Sequence, residues 1–430
     1  MTAKRIQPYA VFSDGHGNMY EDTRLLAAGR SGQHIYPLYL DQMIPLPEGS
    51  ELLELPGRRT LGFTRNGELR AVREGFASAA FIAPAHTQLA VAAWRTSANA
   101  PVLPLYAYTA VAWWNDEFYV PAVRIDPDQR QDCCHFDQRV IEQRGRQMLR
   151  KYPKNRLVEH LVRNCACTYY CPAARNLMMG RWEAPIPTSP QCNARCVGCI
   201  SYQNPNESPV SESQHRLGFV PTPEEIAEYV VPHLENAPNP VASFGQGCEG
   251  EPLLQWELLR EAIRAIRART KRGIINLNTN GSKPQAVEEL FRAGLDSIRV
   301  SMNSAQEPWY NLYYRPVGYI MADAIESLCM SRKYGRWASI NYFVMPGLTD
   351  TPQELDALRQ LIRRTELSMV QWRNFNIDPD WFFSRTGLEL DVEPLGVRRV
   401  MDEIRREFPK VCFGYYNPHA DTMADFGMVR

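Results

Sequence analysis

From Ala184 to about Phe383, short apolar runs rich in β-branched and aromatic residues alternate with amphipathic stretches, and this alternation leaves the chain few folds to choose from. The runs "VASFG" (241–245), "GIINLNT" (273–279), "SIRVSM" (297–302), "SINYFVM" (339–345) and "MVQWRNF" (369–375) read as strands. Helices are expected between them at about 222–235, 252–270, 284–293, 319–334 and 351–365. Strands separated by whole helices cannot pair as hairpins, so they imply a parallel sheet with helices packed outside it. One more strand before Cys192 brings the count to six, which suits an α/β partial (β/α)6 TIM-like barrel better than a complete eight-unit one. In such a sheet the chemistry gathers at the carboxyl ends of the strands.

The rest of the chain has a different texture. Residues 1–130 read as a β-rich domain with hairpin signals at Asp14-Gly15, Asn66-Gly67 and Asn115-Asp116. Residues 131–183 read as a helical, cysteine-containing connector, and 386–430 as an extension with one helix, "LGVRRVMDEIRREF", and a short strand, "VCFGYY". Several units are expected, because 430 residues exceed what one core usually holds. Lys+Arg and Asp+Glu both number 48, so no global field favours nucleic acid, and the basic stretch Arg139–Arg156 reads as a solvated helix face. No run suggests a signal peptide or a membrane span, so a cytoplasmic setting without a membrane partner is expected.

Eleven cysteines are present, and three of them, Cys192, Cys196 and Cys199, crowd into "SPQCNARCVGCIS". Reduced thiols clustered this closely more often hold metal than form disulfides. Structural zinc takes four ligands, and only His215 is near enough in sequence to complete the set. An iron–sulfur cube normally takes four cysteines, so three leave one iron open to a substrate or cofactor.

This C-x3-C-x2-C spacing, in the loop after the first strand of a partial barrel, resembles the radical S-adenosylmethionine (radical SAM) superfamily over about Ala184–Phe383. The resemblance implies a [4Fe–4S] cluster on Cys192, Cys196 and Cys199, whose open iron chelates S-adenosylmethionine. It also implies an oxygen-sensitive enzyme that cleaves this cofactor reductively and abstracts a hydrogen atom through a 5′-deoxyadenosyl radical. A donor such as flavodoxin or ferredoxin would supply the electron, and the substrate would be a peptide, a protein or a small-molecule precursor.

Later strand ends extend the likeness. In "VASFGQGCEGEPLL", Gly250 and Glu251 resemble the family's ammonium-binding motif, although a carboxylate opening a helix also suits the helix dipole. Asn278 and Asn280 place amide groups at the mouth, with capping the plainer role, and Ser301 and Asn303 resemble the family's polar groups suited to ribose hydroxyls or the methionine carboxylate. Met345, Pro346 and Gly347 would form an apolar shelf for adenine, while Arg315, Arg373 and Asn374 would meet carboxylates. One position departs from the family: Gly198 stands where many members place an aromatic, so adenine contacts fall to Ile200 or to the later strands. Cys248 is a candidate hydrogen-atom donor, and Cys165, Cys167 and Cys171 a candidate second metal or cluster site. Cys329 and Cys412 read as ordinary buried residues, and adjacent Cys133 and Cys134 are awkward joint ligands. The reading from another class is a non-catalytic iron–sulfur or zinc protein that recognises a partner.

Overall fold

Strands Glu183–Ile186, Val241–Phe244, Ile274–Thr279, Ser297–Met302, Trp337–Val344, Met369–Asn374 and Cys412–Gly414 form one parallel sheet in chain order. They belong to a computed structural model that describes residues 5–425. The helices Pro223–Asn236, Trp256–Arg269, Pro284–Ala293, Met321–Lys333 and Pro352–Thr365 fall where the apolar periodicity predicts them. A 3-10 turn, Pro252–Gln255, occupies the start of the second expected helix. Thr222 and Glu225 form a reciprocal capping box that fixes where the first helix begins.

The sheet has seven strands rather than the six counted from sequence. Helix Val397–Glu407 crosses back, and Cys412 pairs in parallel with Met369, so the tail strand extends the sheet. The sheet remains open, because Glu183–Ile186 and Cys412–Gly414 are its two edges and do not pair with each other. This is the partial-barrel class of α/β fold.

Alternation along the strands sorts the side chains. Ile275, Leu277, Ile298, Val300, Ile340 and Val370 pack into the main hydrophobic core under the helices. Their neighbours Asn278, Arg299, Ser301, Asn341 and Arg373 line a cavity on the other face. A polar inner face stays ordered by pairing internally: Ser297 Oγ donates to Asn276 Oδ1 at 2.7 Å, and Arg299 Nη1 donates to Gln371 Oε1 at 2.9 Å.

The amino-terminal region is an antiparallel β domain. All three hairpin signals lie at reversals: Tyr9–Ser13 pairs with Met19–Ser31, Arg58–Phe63 with Leu69–Ala71, and Ala112–Trp114 with Glu117–Val120. Asn115 and Asp116 take φ of 47° and 61°, the left-handed pair that a tight two-residue hairpin requires. The connector contains helices Gln138–Lys151, Arg156–His160 and Pro172–Met178, with a π-helical turn over Leu161–Ala166.

The β domain sits over the carboxyl ends of the fifth and sixth strands of the parallel sheet. Thr87 Oγ1 donates to the Trp372 carbonyl at 2.7 Å, and Gln88 N donates to Asn374 Oδ1 at 2.9 Å. The Arg58–Asp378 ion pair, 2.7 Å, joins the two parts with both side chains almost fully buried. Arg58→Met is expected to destabilise the protein by about 3 kcal/mol in urea unfolding, since it strands a buried carboxylate that keeps only backbone donors.

Candidate cofactor site

The cysteine loop is held at the carboxyl end of the sheet by backbone hydrogen bonds on both flanks. Arg195 N and Val197 N donate to the carbonyls of Tyr314 and Tyr313, at 2.9 and 3.0 Å, at the end of helix Glu307–Tyr314. On the other flank, Gly250 N and Glu251 N donate to the carbonyls of Ser189 and Gln191, at 2.7 and 2.8 Å. A Cβ at residue 250 would collide with the Gln191 backbone, so this glycine permits the close approach of the two loops.

Glu249 braces the same junction. Its Oε2 accepts from Thr188 N at 2.7 Å, Ser189 N at 2.9 Å and Thr188 Oγ1 at 3.1 Å, while Oε1 accepts from Gln246 N at 2.7 Å. Burial pushes this carboxyl up to about 7 despite those donors. Sequence reading missed the residue, because a carboxylate between two glycine-rich turns carries no local signature.

Cys192, Cys196 and Cys199 line one side of a cavity of about 460 Å³. Gly250, Glu251, Asn278, Asn280 and Ser301 line it as well, so these predicted residues are brought together around one space. Burial pushes Cys192 up to about 11 and also raises Cys196 well above the ordinary thiol range, so ionised thiolates there need a cation to compensate them. Arg216 Nη2 lies 3.6 Å from Cys199 Sγ and donates toward it, and the Ser201 hydroxyl, which donates to the Glu249 carbonyl at 3.0 Å, lies 3.6 Å from the same sulfur. His215 does not complete a zinc set: its side chain is 80% exposed and pairs with Glu212. Three thiols on one loop, with no fourth protein ligand among the described residues, fit an iron–sulfur cube with an open iron better than structural zinc.

Glu251 faces the cavity with its carboxylate already engaged. It accepts from Leu253 N at 2.9 Å, from Asn280 N at 2.8 Å and from the Thr279 hydroxyl, and burial pushes it up to about 7. The capping role and the site role therefore coexist. Asn280 Nδ2 donates to Asn193 Oδ1 at 2.8 Å, tying the third strand end to the cysteine loop, and Asn278 Nδ2 donates to the Gly245 carbonyl at 2.9 Å.

Other predicted residues lie elsewhere. Asn303 is fully buried and donates to the Trp309 carbonyl, outside the cavity lining. Met345 is buried, and the adjoining Gly347, at φ +96°, packs on Gly32 while Pro346 O accepts from Gly32 N at 3.1 Å. The expected adenine shelf is thus a seat for the β domain. Asn374 lines the cavity, but its amide is engaged with His86 and Gln88 of that domain. Arg315 is absent from that lining but lines a neighbouring cleft of about 980 Å³ that Cys192, Cys196 and Cys199 also line.

Cys248 turns away from the cavity. Its sulfur lies 3.4 Å from that of Cys165, and the two share a buried group with His160. The grouping expected of Cys165, Cys167 and Cys171 is not formed: Cys171 lines the main cavity, and Cys167 lies in the electrostatic reach of Glu142 and Arg146 on the connector helix. The connector folds back through a π turn, and sequence proximity does not survive that reversal.

The space beside Gly198 is filled from other elements. Tyr313, Phe343 and Phe375 line the cavity, with the Tyr313 and Phe375 rings 4.8 Å apart and those of Phe343 and Phe375 stacked at 5.4 Å. A Cβ at residue 198 would come within 3.1 Å of Ile377, so a larger side chain there would have to displace it. At the far end, Arg299 and Arg373 face the same cavity. Burial pulls Arg299 down to about 9, with the like charge of Arg373 adding to the effect. Glu183 is the acidic group that offsets Arg299, and its Oε1 accepts from Ser243 and Asn417 at 3.3 Å.

Residues 186–361 match the family model described as the radical SAM superfamily. No curated protein sequence matches the chain. Among solved structures it is similar to SuiB of Streptococcus suis bound to precursor peptide SuiA, at 12% identity over 59% of this chain and 54% of that one, with a TM-score of 0.38. It is also similar to methylornithine synthase PylB, at 14% identity, 64% and 75% coverage and a TM-score of 0.38. The FeFe-hydrogenase maturase HydG from Carboxydothermus hydrogenoformans is similar at 12% identity, 67% and 73% coverage and a TM-score of 0.36. The chain spans only a little over half the length of SuiB.

Proposed function

We propose that this chain, which carries a radical SAM domain and belongs to that enzyme superfamily, binds a [4Fe–4S] cluster through Cys192, Cys196 and Cys199 and S-adenosylmethionine at its open iron. The observation that carries the reading is the placement of three thiols, Glu251, an aromatic cluster and two arginines around one cavity. Held by Cys192, Cys196 and Cys199, the cluster would supply the electron for reductive cleavage of S-adenosylmethionine and so for hydrogen-atom abstraction from the substrate.

The chain's own residues bind, orient and exclude water. Glu251 presents its carboxylate beside the thiols, where a methionine ammonium would find an acceptor, and Ser301 offers a hydroxyl on the inner face. Tyr313, Phe343 and Phe375 supply the aromatic surface that Gly198 lacks, and adenine is the part of the cofactor suited to it. Phe81 and Ile82 of the β domain line the cavity too, so that domain limits access of water.

Arg299 and Arg373 point to the substrate. Glu183 balances one of these two charges, and the excess positive charge in a desolvated site favours an anionic group, a carboxylate or a phosphate. A cavity of about 460 Å³ that must also admit the cofactor suits a small molecule or one side chain of a peptide. A one-electron protein donor such as flavodoxin or ferredoxin completes the reaction.

Anaerobic reconstitution followed by reduction tests the reading. About four irons per chain and conversion of S-adenosylmethionine to 5′-deoxyadenosine are expected. A reduced four-iron protein that leaves S-adenosylmethionine intact would refute it. Arg299→Gln is expected to raise the KM for substrate about 10- to 100-fold, the loss of one charge-assisted hydrogen bond, while the slow cleavage of S-adenosylmethionine without substrate persists. Steady-state kinetics with and without substrate separate the two effects.

A further inference from the structure

Cys165 and Cys248 lie on different elements, one in the π-helical turn of the connector and one in the loop after the second strand, yet their sulfurs are 3.4 Å apart. His160 completes the group: its ring and the two thiols are all buried, and the three ligand atoms lie within 4.8 Å of one another. The Nδ1 edge of His160 faces the Asn164 side-chain amide at 3.0 Å, whereas Nε2 is buried with no partner except the Cys248 thiol beside it. An imidazole oriented through one nitrogen, with the other turned only to thiols, is the arrangement of a metal-bound histidine supported by an outer hydrogen bond. That tautomer requires the Asn164 amide to present its oxygen to Nδ1–H.

We propose that His160 Nε2, Cys165 Sγ and Cys248 Sγ bind one zinc ion, separate from the site of the cysteine triplet. Three points of chemistry favour it. Two thiolates and a neutral imidazole are a zinc ligand set, with the fourth position left to water. Zinc–sulfur bonds of about 2.3 Å in a tetrahedron place two sulfurs roughly 3.8 Å apart, close to the separation found here. Binding releases one proton from each thiol, and the dication with two thiolates forms a neutral unit, the form that a buried site tolerates.

A Cys165–Cys248 disulfide accounts for less. It would need the sulfurs to close to about 2.05 Å, and it would leave His160 Nε2 buried and unpartnered. The ion would also have a structural consequence. Cys248 lies between Gly247 and Glu249, both of which line the cofactor cavity, so the ion would pin the connector to the loop that shapes that cavity.

The test uses the full chain with Cys192, Cys196 and Cys199 all replaced by alanine, so that no cluster at the triplet contributes. About one zinc per chain is expected by elemental analysis after dialysis against a weak chelator. His160→Gln, Cys165→Ser and Cys248→Ser are each expected to lower zinc affinity at least about 100-fold, while Cys329→Ser leaves it unchanged. Cobalt added to the metal-free triple variant is expected to give tetrahedral visible bands and thiolate charge transfer, a readout that does not depend on any ligand variant folding. Substoichiometric zinc with no such cobalt spectrum would overturn the assignment. So would zinc content unmoved by His160→Gln, or an intact mass two hydrogens lighter with Cys165 linked to Cys248.

Discussion

Cys196→Ala is expected to abolish cluster assembly and 5′-deoxyadenosine formation while leaving the fold in place. Iron should fall from about four per chain to background after anaerobic reconstitution, because two thiols cannot retain a cube that normally takes four. Cys196 is the most informative of the three. Burial raises its pKa well above the ordinary thiol value, and the thiols of Cys199 and Cys192 add to the shift, so it lies in the electrostatic field of both. The loop itself does not depend on that sulfur. Val197 N on Tyr313, Arg195 N on Tyr314 and Gly250 N on Ser189 hold its flanks through backbone alone. Circular dichroism and the urea midpoint of the iron-free variant should therefore match those of the iron-free parent. A variant that retains iron and cleaves S-adenosylmethionine would remove Cys196 from the ligand set.

Much of the parallel sheet was legible because its signals are local. Strand 297–302 was read at its observed bounds, and Gly294 at φ +114° ends the preceding helix where the apolar period stops. Hairpins such as Asn115-Asp116 were legible for the same reason, since the turn chemistry lies in the two residues themselves. The seventh strand was not placed, because three residues, Cys412–Gly414, carry no mark of the neighbour they will pair with. The misplacement of Met345–Gly347 has a similar origin. A glycine at a strand end permits close approach of a ligand or of another backbone, and here Gly32 of the β domain approaches. Within the site, the cysteine spacing and Ser301 were readable, but Arg299 and Asn341 were not singled out, because alternation in a strand buried on both faces does not tell which face meets the cavity. The junction of His160 with Cys165 and Cys248, and the filling of the Gly198 space by Tyr313 and Phe375, depend on contacts between distant segments.

Glu249→Ala is expected to cost about 3–5 kcal/mol of stability, the largest loss of any single substitution at this junction. Its carboxylate accepts three backbone N–H groups, those of Thr188, Ser189 and Gln246, and the side chain is buried with only 4% exposure. Truncation removes the acceptor of all three donors, and orphaned buried groups cost about 1–3 kcal/mol each before the loop relaxes or cavity water takes their place. Glu249→Gln keeps one oxygen as an acceptor but turns an NH2 group toward N–H donors, so about half the loss is expected for it. The effect should extend to the site, because Thr188 and Ser189 lead into Cys192 and Gln246 leads into the Gly247 turn. Urea unfolding of the iron-free protein measures the stability term, and the rate of anaerobic iron uptake reports loop order. If Glu249→Ala unfolds with the parent's midpoint, the carboxylate does not brace the loop, and the two strand ends must be held by the Gly250–Ser189 and Glu251–Gln191 backbone bonds alone.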